Sequence, residues 1–184
     1  MNAALRQARP SDALSVADVL LLSRKAFLPF APLVHSDDEV RQWIAGVLIP
    51  SGGVIVSAVA GEVVGMLALS RESACGWIDQ LYLHPSVVGR GIGSQLIERA
   101  KQELGSPIRL YTFHANTASR RFYERCGFRA IAFSDGHANE ERCPDVLYEY
   151  VGGMDIGAPN RQSAENVTPS PHPHYHGASG EDSP

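Results

Sequence analysis

Trp77-Ile-Asp-Gln-Leu-Tyr-Leu-His-Pro-Ser-Val-Val-Gly-Arg-Gly-Ile-Gly-Ser-Gln-Leu-Ile97 is the stretch on which the fold of this chain turns. Its first third, Trp77 to Leu83, reads as an apolar strand that runs into His84-Pro85. Gly89, Gly91 and Gly93 then alternate with Arg90 and Ile92, and an amphipathic helix starts at once. Glycine allows a tight turn that leaves backbone N–H groups uncovered. At a helix start those N–H groups lack intrahelical acceptors and lie at the positive end of the dipole, a place suited to phosphate. The expectation is a phosphate-bearing ligand held between the end of the strand and the start of the helix.

What is missing narrows the ligand. A nucleotide-triphosphate loop requires a longer glycine loop closed by Lys and Ser or Thr, and the Lys is absent here. A dinucleotide fingerprint requires glycines at its first, third and sixth places. Gly89 and Gly91 fit the first two, but Ser94 holds the sixth, and no further strand–helix–strand repeats follow.

A second segment, Asn116-Thr-Ala-Ser-Arg-Arg-Phe-Tyr-Glu-Arg-Cys-Gly-Phe128, reads as a short helix between an Asn N-cap and Gly127 as its C′ residue. Ala118, Phe122 and Cys126 share a stripe at four-residue spacing, the expected core face. Asn116, Ser119 and Tyr123 share the neighbouring stripe, which lines up an amide and two hydroxyls.

Together, in this order and at this distance, the two segments resemble the GNAT superfamily of acyl-CoA-dependent N-acetyltransferases, over about residues 5–150. The family's loop is Gln or Arg, two residues, Gly, one residue, then Gly or Ala. Val88 stands at the polar first place, so one side-chain contact to the pyrophosphate is lost while the backbone cradle remains. The Asn116 segment matches the family's Asn-x-x-Ala and Phe-Tyr-x-x-x-Gly-Phe pattern closely. The resemblance implies an α/β fold with a mixed, mostly antiparallel central sheet of about six to seven strands and helices on both faces. It implies acetyl-CoA as cosubstrate and an amine, on a small molecule or a protein, as acceptor. Main-chain N–H groups over Gly89, Arg90, Gly91, Ile92, Gly93 and Ser94, with Val88 before them, would hold the pyrophosphate. Asn116 and Ser119 would meet the pantetheine arm. Leu81, Tyr82 and Leu83 would offer backbone to it as to an added strand, and an N–H there would meet the oxyanion. Tyr123 occupies the place from which family members protonate the departing sulfur.

Composition is consistent with one domain. The chain has 184 residues, enough for a single core of ordinary size. A net charge of −4, with no basic patch interleaved with aromatics, argues against nucleic acid. Cys75, Cys126 and Cys143 are odd in number and lack metal-type spacing, so no metal is expected and the thiols suit a reducing compartment. No signal-type segment or run of bilayer length is present, so a cytoplasmic protein without a membrane partner is expected. A homodimer is left open.

Along the chain, Leu5 to Arg9 reads as a strand, and Ser11-Asp12 as the cap of a helix carrying Leu14, Ala17, Leu21 and Leu22. A second helix is expected over residues 37–48, with Val40, Trp43, Ile44 and Val47 on one side. Two strands meet at Ala60-Gly61, a hairpin signal. The helix after the glycine turn carries Ile92, Leu96, Ala100 and Leu104 inward, and strands follow near residues 108–113, 128–133 and 146–150. The domain is expected to cover residues 1–151. Residues 152–184 are rich in Gly, Pro, Ser and His and read as a disordered tail, with His172, His174 and His176 at most an adventitious metal binder.

Acyl transfer to nitrogen requires a deprotonated amine, a stabilised oxyanion and a leaving thiolate. A Lys-like amine near pKa 10.4 is mostly charged at pH 7, and making it neutral costs roughly 4–5 kcal/mol. Asp79, in the strand leading to the acyl site, is the first candidate base, with an ordinary solvent-facing strand residue as the alternative. Glu140, Glu141 and Asp145 form a second acidic cluster, a solvated one in the simpler reading and a border of the acceptor site in the other. His35 and His84 read as turn or surface residues. Two other functions stay in view: an acyl-CoA-binding or sensing module without transfer, and a dinucleotide-dependent oxidoreductase.

Overall fold

The computed structural model describes residues 3–152; the tail from residue 153 and its histidines lie outside the described residues. Seven strands form one open sheet in the order β1-β2-β3-β4-β5-β7-β6. They are β1 (Ala4–Gln7), β2 (Val54–Val59), β3 (Glu62–Glu72), β4 (Cys75–Leu83), β5 (Ile108–Phe113), β6 (Arg129–Ser134) and β7 (Asp145–Tyr150). All neighbours are antiparallel except β4 and β5, which run parallel. A mixed sheet with helices on both faces is the architecture expected from the sequence.

Each face carries its own core. On one, α3 (Ile92–Leu104) and α4 (Thr117–Arg125) cover the sheet. Ile92, Leu96, Ala100 and Leu104 of α3 are buried with Ile78, Ile108, Leu110, Phe128 and Tyr148. On the other, α1 (Ala13–Phe27) and α2 (Asp37–Trp43) pack Val16, Leu20, Val40 and Ile44 onto Val54, Val56 and Met66. Each such aliphatic side chain contributes about 1.5–3 kcal/mol on leaving water, so their burial holds the helices to the sheet. The β2–β3 hairpin turns at Ala60 and Gly61, both at positive φ (51° and 88°), the twist that two-residue hairpins favour.

Three helix expectations need correction. In α1 the buried residues are Val16, Ala17, Val19, Leu20, Leu21 and Ser23, whereas Leu14 and Leu22 face solvent. That helix is apolar nearly all round, so periodicity does not choose its face. The helix over residues 37–48 does not keep one register: α2 ends at Trp43 and Ile44–Leu48 form a wider π turn. Ile49 N–H there bonds Ile44 C=O five residues back, at 3.0 Å. The extra residue per turn rotates Val47 to solvent and Leu48 and Ile49 inward. In α4 the expected core stripe is displaced by one residue. Ala118 is exposed, Phe122 and Cys126 are half-buried, and Tyr123 is the buried residue. The helix sits against Phe128 and Tyr148 and turns Tyr123 toward them.

Candidate active site

The sheet opens in its middle. β4 and β5 pair only at Gly76↔Ile108 and Trp77↔Arg109. Beyond that point β4 stays with β3 as far as Gly65↔Leu83, and β5 stays with β7 as far as Phe113↔Asp145. The two strands part between two different partners, so the β4 edge from Ile78 onward has no strand beside it. Residues of both cores border the resulting cleft, an opening of about 1290 Å³ counted out to solvent.

Asp79 sits where β4 changes faces. Ala68 pairs with Gln80 and Leu69 with Ile78, so Asp79 is the extra residue of a β-bulge. Strict alternation from Ile78 would turn Leu81 and Leu83 to the α1 side. The bulge reverses this: Leu81 and Leu83 join Ile78 against the α3 core, and Tyr82 turns to the α1 core. Asp79 lines the cleft, and its Oδ1 accepts a 3.0 Å hydrogen bond from Ser70 Oγ. Burial pushes its carboxyl up to about 6, and the Ser70 bond works against that rise. Such a group is ionised at neutral pH but keeps a proton at mildly acid pH.

Tyr123 reaches the same cleft from the α3/α4 side. Its ring lies among Phe122, Phe128 and Tyr148, with centroids 5.3, 5.9 and 6.2 Å away. Burial drives its phenol far above the ordinary range, so it keeps its proton at any working pH. Asn116 and Ser119 line the cleft beside it, so the expected stripe of amide and hydroxyls does face one opening. Asn116 Oδ1 accepts the Ser119 N–H at 3.1 Å as the helix cap, which leaves its NH2 free to donate to a ligand.

At the head of α3, Gly91 is the N-cap at φ 84°, a conformation that side chains resist, and no side chain caps it. The first helical bond runs from Gln95 N–H to Gly91 C=O, at 3.2 Å, so the N–H groups of Ile92, Gly93 and Ser94 lie ahead of the first turn. Gly93 serves packing. A Cβ there would come 3.1 Å from the Phe122 ring and 3.5 Å from Leu83, so the absent side chain lets α3 seat against α4 and β4. Ile92 is fully buried, which leaves only its backbone to a ligand; Val88 faces solvent, and so does Arg90. His84 Nδ1 accepts the Ser86 N–H at 3.2 Å, a turn role.

The solvated reading of the acidic cluster fails for Glu141 and Asp145, while Glu140 stays exposed. Glu141 Oε1 lies 3.0 Å from Arg24 Nη1, and both side chains are largely buried in the cleft wall. Tyr82 and Glu141 nearby together outweigh the burial that would lower the Arg24 pKa. Glu140 Oε2 meets His35 Nε2 at 3.1 Å. Asp145 is buried and accepts from Ser134 Oγ at 2.6 Å and Asn139 Nδ2 at 2.9 Å. The Arg24 and His35 contacts tie α1 and the segment after it to the β6–β7 loop across the α1 side of the cleft. No sequence signal marks Ser70 and Arg24, since a strand serine and a helix arginine carry no local motif; a β-bulge and a cleft are needed to give them a place. Among the described residues no group of three His, Cys, Asp or Glu is placed to hold a metal, and no helix is long and apolar enough to cross a membrane.

Comparison with known proteins agrees with this architecture. The apo form of YjaB from Escherichia coli superposes with a TM-score of 0.68 at 21% identity, covering 83% of this chain and 100% of that one. The PaiA N-acetyltransferase from Thermoplasma acidophilum, solved with coenzyme A, gives 0.66 at 19% identity, over 82% and 99% of the two chains. Ard1 from Thermoplasma volcanium gives 0.62 at 19%, over 82% and 98%. At these identities the likeness speaks for the fold alone. No curated protein matches the chain in sequence. The profile described as "Acetyltransferase (GNAT) family" matches residues 20–128, more than half of the chain. The chain is therefore an acyltransferase and belongs to the GNAT acetyltransferase family.

Proposed function

We propose that the protein moves the acetyl group of acetyl-CoA to an amine by direct attack within a ternary complex. The observation that carries this reading is the parting of β4 and β5 beyond Trp77 and Arg109, which brings Asp79 and Tyr123 to one opening. The free N–H groups at the head of α3 suit the pyrophosphate of CoA, and the unpaired β4 edge suits pantetheine, an extended chain with amides. The open φ of Gly91 and the missing Cβ of Gly93 fit that use.

In this reading Asp79, ionised at neutral pH, takes a proton from the incoming ammonium. The neutral nitrogen attacks the thioester carbonyl, and a backbone N–H over Leu81–Leu83 meets the oxygen as it gains charge. The C–S bond then breaks and Tyr123 gives its proton to sulfur. The same burial that holds the phenol protonated raises the basicity of a thiolate beside it. The domain carrying this chemistry runs through Val151, and a cytoplasmic location suits three cysteines without a disulfide.

The test is a melting curve with and without acetyl-CoA, followed by a free-thiol assay over a panel of amines. Stabilisation by acetyl-CoA together with amine-dependent thiol release is expected. Stabilisation without release by any amine would point instead to a CoA-sensing module.

A further inference from the structure

The acceptor side of the cleft mixes apolar and polar surface, and its charged groups already hold partners within the protein. Leu28, Leu33, Val34, Trp43, Tyr111 and Phe113 form an apolar stretch of its wall. Among the described residues Arg24 is the only Arg or Lys that lines it, and Glu141 holds that guanidinium at 3.0 Å. Glu140 is bonded to His35, and Asp145 to Ser134 and Asn139. Asp79, bonded to the neutral Ser70, is the remaining carboxylate.

Building on the acetyl-transfer reading, we propose that Glu141 acts as an internal counter-ion that keeps Arg24 from substrate carboxylates, and that the acceptor is a primary amine on an apolar or aromatic body lacking carboxylate, phosphate and second ammonium. A carboxylate entering the cleft has to displace Glu141 from a largely buried pair, and it then lies among Asp79, Glu140 and Asp145, all of its own sign. A second ammonium meets no acid without a bond to give up. Drawing Asp145 away costs Asn139 and Ser134 their shared carboxylate acceptor, and Asp79 is the acid that receives the reacting amine's proton. What the wall offers is area: aromatic rings and branched aliphatics that repay an apolar body at the usual rate per unit area buried. A single ammonium on such a body also gains from the ring faces on its way in.

Three matched probes test this by calorimetry on the CoA-saturated protein: 2-phenylethylamine, phenylalanine and 1,4-diaminobutane. The expected order has 2-phenylethylamine tighter than either of the others by about tenfold or more. Equal or tighter binding of phenylalanine or the diamine overturns the proposal, as does an absence of heat with 2-phenylethylamine at any soluble concentration. Glu141→Gln uncovers Arg24 and is expected to raise the affinity for phenylalanine relative to 2-phenylethylamine by about tenfold. An unchanged ratio, in a variant that still binds CoA normally, removes Glu141 from the account. Free-thiol release is read on the same samples: acetylation of phenylalanine or the diamine in preference to 2-phenylethylamine defeats this proposal but leaves the transferase reading intact. Absence of release with all three defeats that reading while the binding order still decides the acceptor class.

Discussion

Ser70 Oγ donates a 3.0 Å hydrogen bond to Asp79 Oδ1 across β3 and β4, at the point where the bulge turns the carboxylate into the cleft. Two causes pull on that group in opposite directions. Burial holds the proton on, and the Ser70 hydroxyl favours the ionised form. Ser70 therefore sets how far down in pH Asp79 remains a base.

Ser70→Ala is expected to move the acid limb of kcat/KM upward from near 6 by roughly half to one pH unit, the worth of one partly exposed hydrogen bond to a charge. Below the limb the variant loses rate; at pH 8 and above it matches the parent, because Asp79 is then ionised in both. Ser70→Thr keeps the hydroxyl and is expected to restore the limb. The pH profile is the measurement. A limb that stays in place in the alanine variant separates Ser70 from the base.

Asp79→Asn is expected to remove that limb, to slow the reaction most where the amine is protonated, and to stabilise the fold. The sign follows from linkage. The carboxyl is harder to ionise folded than unfolded, so the folded state pays for the charge once pH passes the unfolded value near 3.8, and the full cost is present above about 6. Asn carries no such cost and still accepts the Ser70 hydroxyl. The gain is about 1–3 kcal/mol at pH 7 and vanishes toward pH 4, as thermal melts at the two pH values would reveal. A variant less stable than the parent at pH 7 contradicts the desolvated carboxylate.

Gly91→Val is expected to abolish the acetyl-CoA-induced rise in melting temperature. The residue caps α3 at φ 84° with nothing within 4 Å of where a Cβ would stand, so the obstacle is backbone strain rather than crowding. A β-branched side chain forces the turn to re-form and moves the N–H groups of residues 92–94. An undiminished ligand-induced shift places the phosphates elsewhere.

Ending the chain at Val151 is expected to leave folding and acetyl-CoA binding unchanged, because residues 152–184 hold few large apolar side chains with which to dock. Loss of the CoA-induced shift in the shortened chain would assign that segment a part in the domain.

Much of this was legible where local chemistry decides the outcome. Alternating glycines before an amphipathic run fix the α3 start, and Asn116 and Gly127 bracket α4 whatever surrounds them. The hairpin at Ala60-Gly61 is equally local. Legibility ends where a residue's role depends on strands distant in sequence. The bulge at Asp79 follows from the pairing of Ala68 and Leu69 with β4, and nothing in the β4 sequence alone marks it. Glu141 reads as solvated because its partner, Arg24, stands 117 positions earlier, on α1. The face of α1 was undecided for a different reason: with Leu, Val and Ala nearly all round, only the sheet chooses between Leu20 and Leu22.

Tyr123→Phe puts the proposed mechanism to its most direct test. The ring contacts with Phe122, Phe128 and Tyr148 do not involve the hydroxyl, and no described residue hydrogen-bonds it, so the variant should melt and bind CoA like the parent. The lost atom bears only on the leaving sulfur. If the phenol is the general acid, kcat falls by roughly 10²–10⁴-fold while KM stays close to its original value, because the missing interaction belongs to the transition state. The phenol does not titrate in the working range, so the loss should be constant with pH. That flat dependence separates it from the Asp79 variant, whose defect eases as the amine sheds its own proton. A full kcat in Tyr123→Phe, measured where chemistry limits the rate, would mean that sulfur leaves as thiolate or takes its proton from water, and that Tyr123 serves only to pack α4 against the sheet.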